Sequence, residues 1–276
     1  MKFLVCIPAL FFVLTNSEKA SKKLSSPIKS VYTYRLTFQP DSTSKYLTQE
    51  NMILSISDTI SEFASSNKLK RDSIISNLKN DTQVNYTEGI DDKLATALQA
   101  PKTKFTFRIY KNTRDKTCLV HDNIGSYHIS YLENHFPCNW KLEQTTSTIM
   151  GYKCQKATTN FGGRKYEAWF TREIPVSDGP YKFSGLPGLI VKIYDLRKSY
   201  DFELTGVRKP TRATFISMPT KSTFVSKEDF IKAVKAARIN MLNGIGQNGT
   251  TYTFSEDVKQ KIQENQKRKN NPIELQ

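Results

Sequence analysis

The fold of this chain is decided by Ile174-Pro-Val-Ser-Asp-Gly-Pro-Tyr-Lys-Phe-Ser-Gly-Leu-Pro-Gly-Leu-Ile-Val-Lys-Ile-Tyr-Asp195. Three prolines among glycines predict a rigid loop, and the apolar run at 189–194 that follows it predicts a buried strand. Gly185 and Gly188 permit backbone angles or close approaches that are barred to other residues. Such a loop serves either as a tight crossover that leads an apolar strand into the core or as a binding loop, and both alternatives are open.

Alternation of polar and apolar residues continues on both sides of this loop. In residues 31–38 the even-numbered positions are Tyr, Tyr, Leu and Phe, which predicts a half-buried strand that ends before Pro40. Similar runs, most of them separated by turn-forming residues, lie at 52–56, 105–110, 117–121, 126–132, 140–145, 152–159, 165–171, 189–194 and 200–207. The spacing predicts a mainly β chain with a few helices (α+β), built on an antiparallel meander.

Helical patterns are few and concentrate near the C-terminus. The clearest covers residues 227–243, where Ser226 supplies an N-cap and apolar residues return on one face. A second helix, solvated along most of its length, is predicted at 256–269, and a third at 70–78. No repeat and no long linker divides the chain, so residues 18–276 are predicted to form a single β-rich domain.

The N-terminal residues have the order of a secretory signal peptide. Lys2 precedes an apolar stretch at 3–14, which is too short to span a bilayer, and small polar residues follow it. This pattern predicts a signal peptide at residues 1–17, with cleavage between positions 17 and 20, and no transmembrane segment after its removal. The chain is therefore expected to be exported, either to the periplasm or to the outer envelope and the extracellular space.

The chain is strongly basic. Its 276 residues include 41 Lys and Arg against 26 Asp and Glu, which gives a formal net charge of +15. An exported protein rarely meets DNA or RNA, so we expect no nucleic-acid partner. The expected partner is an envelope protein, a lipid or a glycan.

Three cysteines remain once the signal peptide is removed: Cys118, Cys138 and Cys154. In an oxidising compartment, one disulfide and one free thiol is the simplest arrangement, in any of three pairings. Buried cysteines without a bridge are an equal alternative. No two of these cysteines are closely spaced, which argues against a metal site.

The histidines are spaced seven residues apart. His121 and His128 would face each other across a hairpin if Ile124 and Gly125 formed its two-residue turn, and His135 would then lie beyond the pair. The favoured interpretation is a polar cross-strand pair, and the alternative is a metal site. Motifs for a nucleophile, a phosphate loop or a zinc-binding helix do not occur, so we predict no catalytic residue and no cofactor.

Six residues of the opening stretch, Gly185-Leu-Pro-Gly-Leu-Ile190, form a recognisable motif with ordered matches on both sides. These matches are Gly151-Tyr-Lys-Cys-Gln-Lys-Ala157, Phe161 with Gly163 and Arg164, Ala168-Trp-Phe-Thr171, Ile174-Pro175, Gly179-Pro-Tyr-Lys-Phe183 and Asn271-Pro-Ile-Glu-Leu275. In these residues the chain resembles the GLPGLI family, secreted proteins of Bacteroidota. The resemblance implies export and a curved, bowl-like or half-barrel sheet, similar to a domain that precedes the catalytic part of some bacterial glycan-cleaving amidases. It assigns neither an activity nor a catalytic residue.

Three hypotheses for the function follow. The favoured one is a non-enzymatic envelope protein whose curved sheet binds a ligand or partner, with an apolar or aromatic concavity beside residues 185–190. One alternative is an unrecognised hydrolase of glycans or peptides, in which the fold brings two carboxylates or a Ser/His pair together. The second alternative is a structural or assembly partner of envelope proteins, with an exposed patch and a strand edge free for pairing.

Overall fold

The computed structural model describes residues 25–80, 99–124, 127–134, 138–242 and 254–275. The predicted signal peptide at 1–17 and His135 lie outside these described residues. The helices are α1 (Ser66–Asn80), α2 (Lys227–Leu242) and α3 (Glu256–Lys267). The strands are β1 (Ser25–Pro27), β2 (Ser30–Phe38), β3 (Thr48–Ile56), β4 (Ile60–Ser65), β5 (Arg108–Asn112), β6 (Thr117–Ile124), β7 (Tyr127–Asn134), β8 (Lys141–Ile149), β9 (Tyr152–Phe161), β10 (Arg164–Thr171), β11 (Leu189–Asp195), β12 (Tyr200–Arg208), β13 (Phe215–Ser217) and β14 (Thr223–Phe224).

Twelve of the strands form one open sheet in the order β14-β7-β6-β5-β4-β3-β2-β12-β11-β10-β9-β8. Every neighbouring pair is antiparallel except β14 and β7, which are parallel. Apart from the pairing of β12 with β2 and the attachment of β14, neighbouring strands are consecutive in the chain, as in a meander. The prediction of a mainly β, antiparallel fold with C-terminal helices is therefore confirmed.

The sheet is curved, because one loop contacts strands that lie far apart in the strand order. Tyr181 packs edge-on against Phe161 of β9, with 6.2 Å between ring centroids, and its neighbour Lys182 donates a hydrogen bond to the Tyr131 hydroxyl of β7. Nine strand spacings separate β7 from β9 in the sheet, which is roughly 40 Å in a flat sheet. The two strands approach the same loop only because the sheet bends around it.

The concave face of the sheet carries the main hydrophobic core, which is rich in aromatic residues. Alternate residues of β2 and β10, among them Tyr34 and Tyr166, point into this core and are fully buried. The loop between β10 and β11 adds Tyr181, Phe183 and Leu186 to it. The inside of the curved sheet is therefore filled by the protein's own loop.

The convex face is polar over much of the sheet, and a small second sheet covers part of it. On β9 and β10, Lys156 and Glu167 form an ion pair with 3.0 Å between the Lys156 Nζ and the Glu167 Oε2. Towards the other end, β1 and β13 form a separate two-stranded sheet. This small sheet contributes Ile216 to a second buried cluster that also contains Ile60, Tyr110 and Leu119.

Helix α2 closes the end of the sheet near β7. Ser226 caps it as predicted, since the Ser226 Oγ accepts a hydrogen bond of 3.0 Å from the Asp229 backbone N–H. Phe230 then packs against Tyr131 of β7, with ring centroids 4.8 Å apart. Helix α1 begins at Ser66, four residues before the predicted start at 70, directly after β4.

Candidate functional site

The second half of the Gly185–Ile190 motif, residues 188–190, is buried in the core. Gly188 has φ of +152°, and a Cβ atom at this position would overlap the carbonyl group of Thr171. The Leu189 and Ile190 amides donate to the carbonyls of Ile174 and Asp178, at 3.1 and 3.0 Å. The Ile190 carbonyl in turn accepts 2.7 Å from the buried hydroxyl of Tyr34 on β2.

A buried ion pair connects the loop between β10 and β11 to strand β5. Lys111 of β5 pairs with Asp178 of the loop, and their side chains are 2% and 5% exposed. The Lys111 Nζ also donates to the carbonyl oxygen of Gly179 at 2.7 Å. Because Lys111 and Asp178 are paired with each other inside the protein, they fix the shape of the loop and do not face solvent.

The first half of the motif lies at the surface and lines a groove. Residues 185–187 form one wall and residues 138–142 the other, around an open volume of about 470 Å³. Gly185, with φ of +95°, and Pro187 are exposed, whereas Leu186 is buried. The Trp140 indole N–H ties the two walls together by donating 2.8 Å to the Ser184 carbonyl.

This groove differs from the expected concavity. The favoured hypothesis predicts an apolar hollow inside the curved sheet, but Tyr181, Phe183 and Leu186 occupy that position. The opening beside the motif is instead a shallow groove at the rim of the sheet, next to β8. Apolar groups of Trp140, Leu142 and Leu186 line it, so it suits an apolar side chain or ring better than a large enclosed ligand.

A second buried charge cluster lies on the other side of the loop. The Lys182 side chain is 1% exposed, and its Nζ lies 2.6 Å from carboxylate oxygens of both Glu133 and Glu274. Lys227 bridges the same two carboxylates at 2.8 Å each. Burial acts to raise the pKa of Glu274, but the charge of Lys182 and the hydrogen bonds from Lys182, Lys227 and Tyr181 outweigh it and lower that pKa.

The chain segment at 271–275, which we call the tail, is docked onto the sheet beside this cluster. The Arg164 guanidinium, 3% exposed, donates to the carbonyls of Pro272 and Ile273 at 2.7 and 3.2 Å. Arg164 also pairs with Asp195 at 3.1 Å. The Leu275 amide donates 2.8 Å to the Gly162 carbonyl. The tail and the motif loop are thus held by one continuous set of buried polar contacts.

The histidines are adjacent, but not in the predicted register. Strand pairing places Ile124 opposite Tyr127, so His128 lies opposite Asn123 and His121 opposite Ser130. The two imidazole rings are stacked on the diagonal, 5.9 Å apart. In the described parts of the chain, no group of three or more His, Cys, Asp or Glu side chains could hold a metal ion.

His121 does make a Ser/His contact of the kind that a hydrolase would need. Its Nδ1 lies 3.0 Å from the Ser130 Oγ and 3.4 Å from the Ser222 Oγ. Burial, followed by the neighbouring His128, lowers the pKa of His121 to about 4. Ser130 is fully buried, and among the described hydrogen bonds none joins His121 to a carboxylate. This arrangement is suited to cross-strand packing, since Ser130 is inaccessible to a substrate.

The three cysteines are all free. Cys118 and Cys154 are buried, and Cys138 lies partly buried at the groove. Burial raises the pKa of Cys118 to about 12 and those of Cys138 and Cys154 to about 11. Thiols with raised pKa values are poor nucleophiles at neutral pH, so these residues serve packing.

Comparison with known proteins identifies a short family match and a distant fold relative. A family model described as "Protein of unknown function (Porph_ging)" matches residues 161–192. Two crystal structures of PNGF-II, in space groups P21 and C2, are similar to 76% of this chain with a TM-score of 0.53 and 14% sequence identity. The similarity covers 34% and 33% of those chains, so this chain spans about a third of the length of PNGF-II. No curated protein matches.

The matched segment contains three members of the buried contacts described above: Arg164 of β10 and the loop residues Asp178 and Lys182. Sequence reasoning did not single out Lys182 or Glu274, although both lie in stretches that carry the family resemblance. Their pairing depends on a contact between distant parts of the chain, which no local pattern reveals.

None of the helices in the described ranges is long and apolar enough to cross a membrane.

Proposed function

We propose that this chain is an exported, non-enzymatic protein of the cell envelope, of the GLPGLI type, that binds a partner at the groove beside its motif. The observation that supports this proposal is the division of the motif. Gly188 and Ile190 are fixed inside the core, while Gly185 and Pro187 are exposed at an open groove. A rigid loop that exposes two of its motif residues is suited to recognition.

The charged residues near the loop favour binding over catalysis. Lys111 pairs with Asp178 and Lys182 pairs with Glu274, so these charges stabilise the loop and none of them lines the groove. The lining of the groove combines the apolar groups of Trp140, Leu142 and Leu186 with the polar side chains of Asn139 and Lys141. The apolar groups bind a partner through burial of apolar surface, and the residues that line the groove include no Asp, Glu or His.

The proposed location follows from the N-terminal sequence. The basic residue, apolar stretch and small polar residues at 1–17 are typical of a signal peptide, which directs the chain to the periplasm or beyond. A net charge of +15 favours acidic partners there, such as an acidic envelope protein or a phosphorylated lipid or glycan.

The test is capture from a native envelope extract with two matched variants. Leu142 lines the groove and is 46% exposed, while Leu196 lies in the turn after β11 and is 48% exposed. We expect Leu142→Asp to reduce capture of the partner at least tenfold and Leu196→Asp to leave it unchanged. Equal capture by both variants would refute the groove as the binding site. Mass spectrometry of the recovered partner distinguishes binding from hydrolysis, because a cleaved partner contradicts the non-enzymatic proposal.

A second candidate function, an assembly partner of envelope proteins, is favoured by one observation. Strand β8 is the last strand of the large sheet, and nearly all its side chains are exposed. If assembly is the function, the captured partner co-purifies with the chain as a stoichiometric complex that survives gel filtration. A transient binding protein releases its partner in the same experiment.

A further inference from the structure

Strand β8 presents a free edge with little protection. Its inner edge pairs with β9, and within the described ranges no strand pairs with its outer edge. Residues 144–149 are Gln-Thr-Thr-Ser-Thr-Ile, a run without proline or charge in which every side chain but the last is exposed. Natural proteins normally protect such an edge with proline, lysine or a covering element. The opposite end of the sheet follows this rule, since β14 and α2 cover β7.

The side chains of β8 do not follow the usual alternation of buried and exposed positions. On β10, buried residues recur at every second position from Arg164 to Phe170. On β8 both faces are open to solvent, so the strand is held mainly by its backbone bonds to β9. A strand that is exposed on two faces and one edge leaves its outward N–H and C=O groups available to another chain.

The edge leads directly into the groove. Lys141 and Leu142 begin β8 and also line the groove with Pro187. Between Leu142 and Thr146 the pairing with β9 shifts, so the strand is irregular between the groove and its regular stretch at 146–149. An extended segment that pairs along 146–149 and continues past the irregularity would bring a side chain to the groove.

The positive charge of this chain indicates which kind of segment could pair with β8. Lys141 on β8 and Lys153 on β9 are exposed, Glu143 on β8 is partly exposed, and the whole chain carries +15. Two copies of so basic a chain repel each other, whereas an acidic segment is attracted. When a segment adds to a sheet as a new strand, it is recognised mainly through its own backbone. This mode of binding suits β8, whose exposed side chains are few in kind.

We propose that an extended, acidic segment of a partner protein adds to β8 as the next strand of the sheet and places an apolar side chain in the motif groove. This inference rests on the proposed function, because it specifies how the groove is occupied. It goes further by assigning the affinity to main-chain hydrogen bonds along residues 146–149 and the selectivity to one anchor side chain.

The experiment uses a nine-residue synthetic peptide of alternating glutamate and valine with one central leucine. We expect the peptide to slow hydrogen exchange of the β8 amides at least fivefold. N-methylation of alternate residues along one edge of the peptide should abolish this protection, and methylation along the other edge should preserve it. A peptide with lysine in place of glutamate should bind at least tenfold more weakly. Absent protection, or equal binding of both methylated peptides, would overturn strand addition.

Two proline variants test the same edge from the protein side. The backbone N–H groups of adjacent residues on a strand point to opposite edges. One of the two variants, Thr146→Pro or Ser147→Pro, therefore removes an N–H that donates to β9, and the other removes only an N–H at the free edge. We expect the variant that keeps parental stability to lose peptide binding. If that variant still captures the envelope partner while Leu142→Asp does not, the groove function stands and strand addition fails. Protection of β8 in a dimer formed without peptide would also refute it in favour of a second copy.

Discussion

The two halves of the Gly185–Ile190 motif have opposite surroundings. The Gly188-Leu-Ile190 half is buried, and its backbone is bonded to Ile174, Asp178 and Tyr34. The Gly185-Leu-Pro187 half turns outward, with Gly185 and Pro187 exposed at the groove. One hexapeptide thus contains both an anchor in the core and a part of the surface that meets solvent.

This difference separates folding from recognition within six residues. Substitutions of the buried residues should act on the free energy of unfolding, whereas substitution of the exposed Pro187 should act on binding with only a small change in stability. The four predictions below test that separation, from the largest expected change in stability to the smallest.

Gly188→Ala should have the largest effect. The new Cβ would overlap the Thr171 carbonyl at a backbone angle that L-residues rarely adopt, so we expect a loss of about 4 kcal/mol in urea unfolding. Gly206→Ala is the matched control, because a Cβ there meets only Thr33 atoms at 3.7 Å or more. It should lower stability by no more than about 1 kcal/mol. Equal losses in both variants would contradict the assignment of Gly188 as the steric anchor.

Lys111→Met should have the next largest effect. It leaves the Asp178 carboxylate buried without its cation, which costs about 3 kcal/mol. A second change, Asp178→Leu, removes the orphaned charge and should restore part of the loss. Lys29→Met is the control, since the Lys29–Asp58 pair is more than 60% exposed on both sides and should matter by less than about 0.5 kcal/mol. The prediction fails if Lys29→Met and Lys111→Met unfold at the same urea concentration.

Glu274→Gln tests the charge cluster through which the tail contacts Lys182 of the loop. Its effect on the free energy of unfolding should depend on pH. The folded-state pKa of Glu274 is lowered, so its contribution is fully present above the unfolded value of about 4.3 and is lost as pH falls through the folded value. We expect a loss of about 2 kcal/mol at pH 7 that shrinks below about pH 4. Glu256→Gln, at a side chain that is 89% exposed, provides the comparison. A loss that is constant with pH would exclude the carboxylate charge as its source.

Pro187→Ala should have the smallest effect on stability, although it lies in the centre of the motif. Proline restricts the unfolded chain, so its loss lowers the free energy of unfolding by between about 0.4 and 1 kcal/mol. Thermal unfolding and partner capture should be measured on the same preparation. A variant that is defective in capture at this modest loss assigns Pro187 to recognition. A loss above about 3 kcal/mol would show that the exposed half is also a core anchor.

The strands were predictable because their signal is local. Alternation at 31–38 corresponds to β2, because a sheet with one packed face imposes a period of two, and the apolar run at 189–194 corresponds to the largely buried β11. The N-cap at Ser226 was predictable for the same reason. The histidine register was not, because moving a hairpin turn by one residue changes every cross-strand pair while leaving the alternation intact.

The candidate site was predictable only in part. Glycine and proline spacing indicated that residues 185–188 have a defined shape, and the positive φ angles of Gly185 and Gly188 show one. The partners that hold this shape, Lys111 and Glu274, are far away in sequence, and each has the composition of an ordinary surface residue. Their burial depends on how the sheet curves around the loop, which follows from the complete set of strand pairings and from no single segment.

The docked tail has a kinetic consequence. Arg164 at the start of β10 obtains partners from Pro272 and Ile273, more than 100 residues further along the chain. Loops of this length close slowly, because the chain entropy lost on closure precedes the gain from the contacts. The loop and its groove should therefore reach their final form late, after the antiparallel hairpins are paired. A pulse-labelling experiment should find the Leu275 amide protected later than those of β9 and β10.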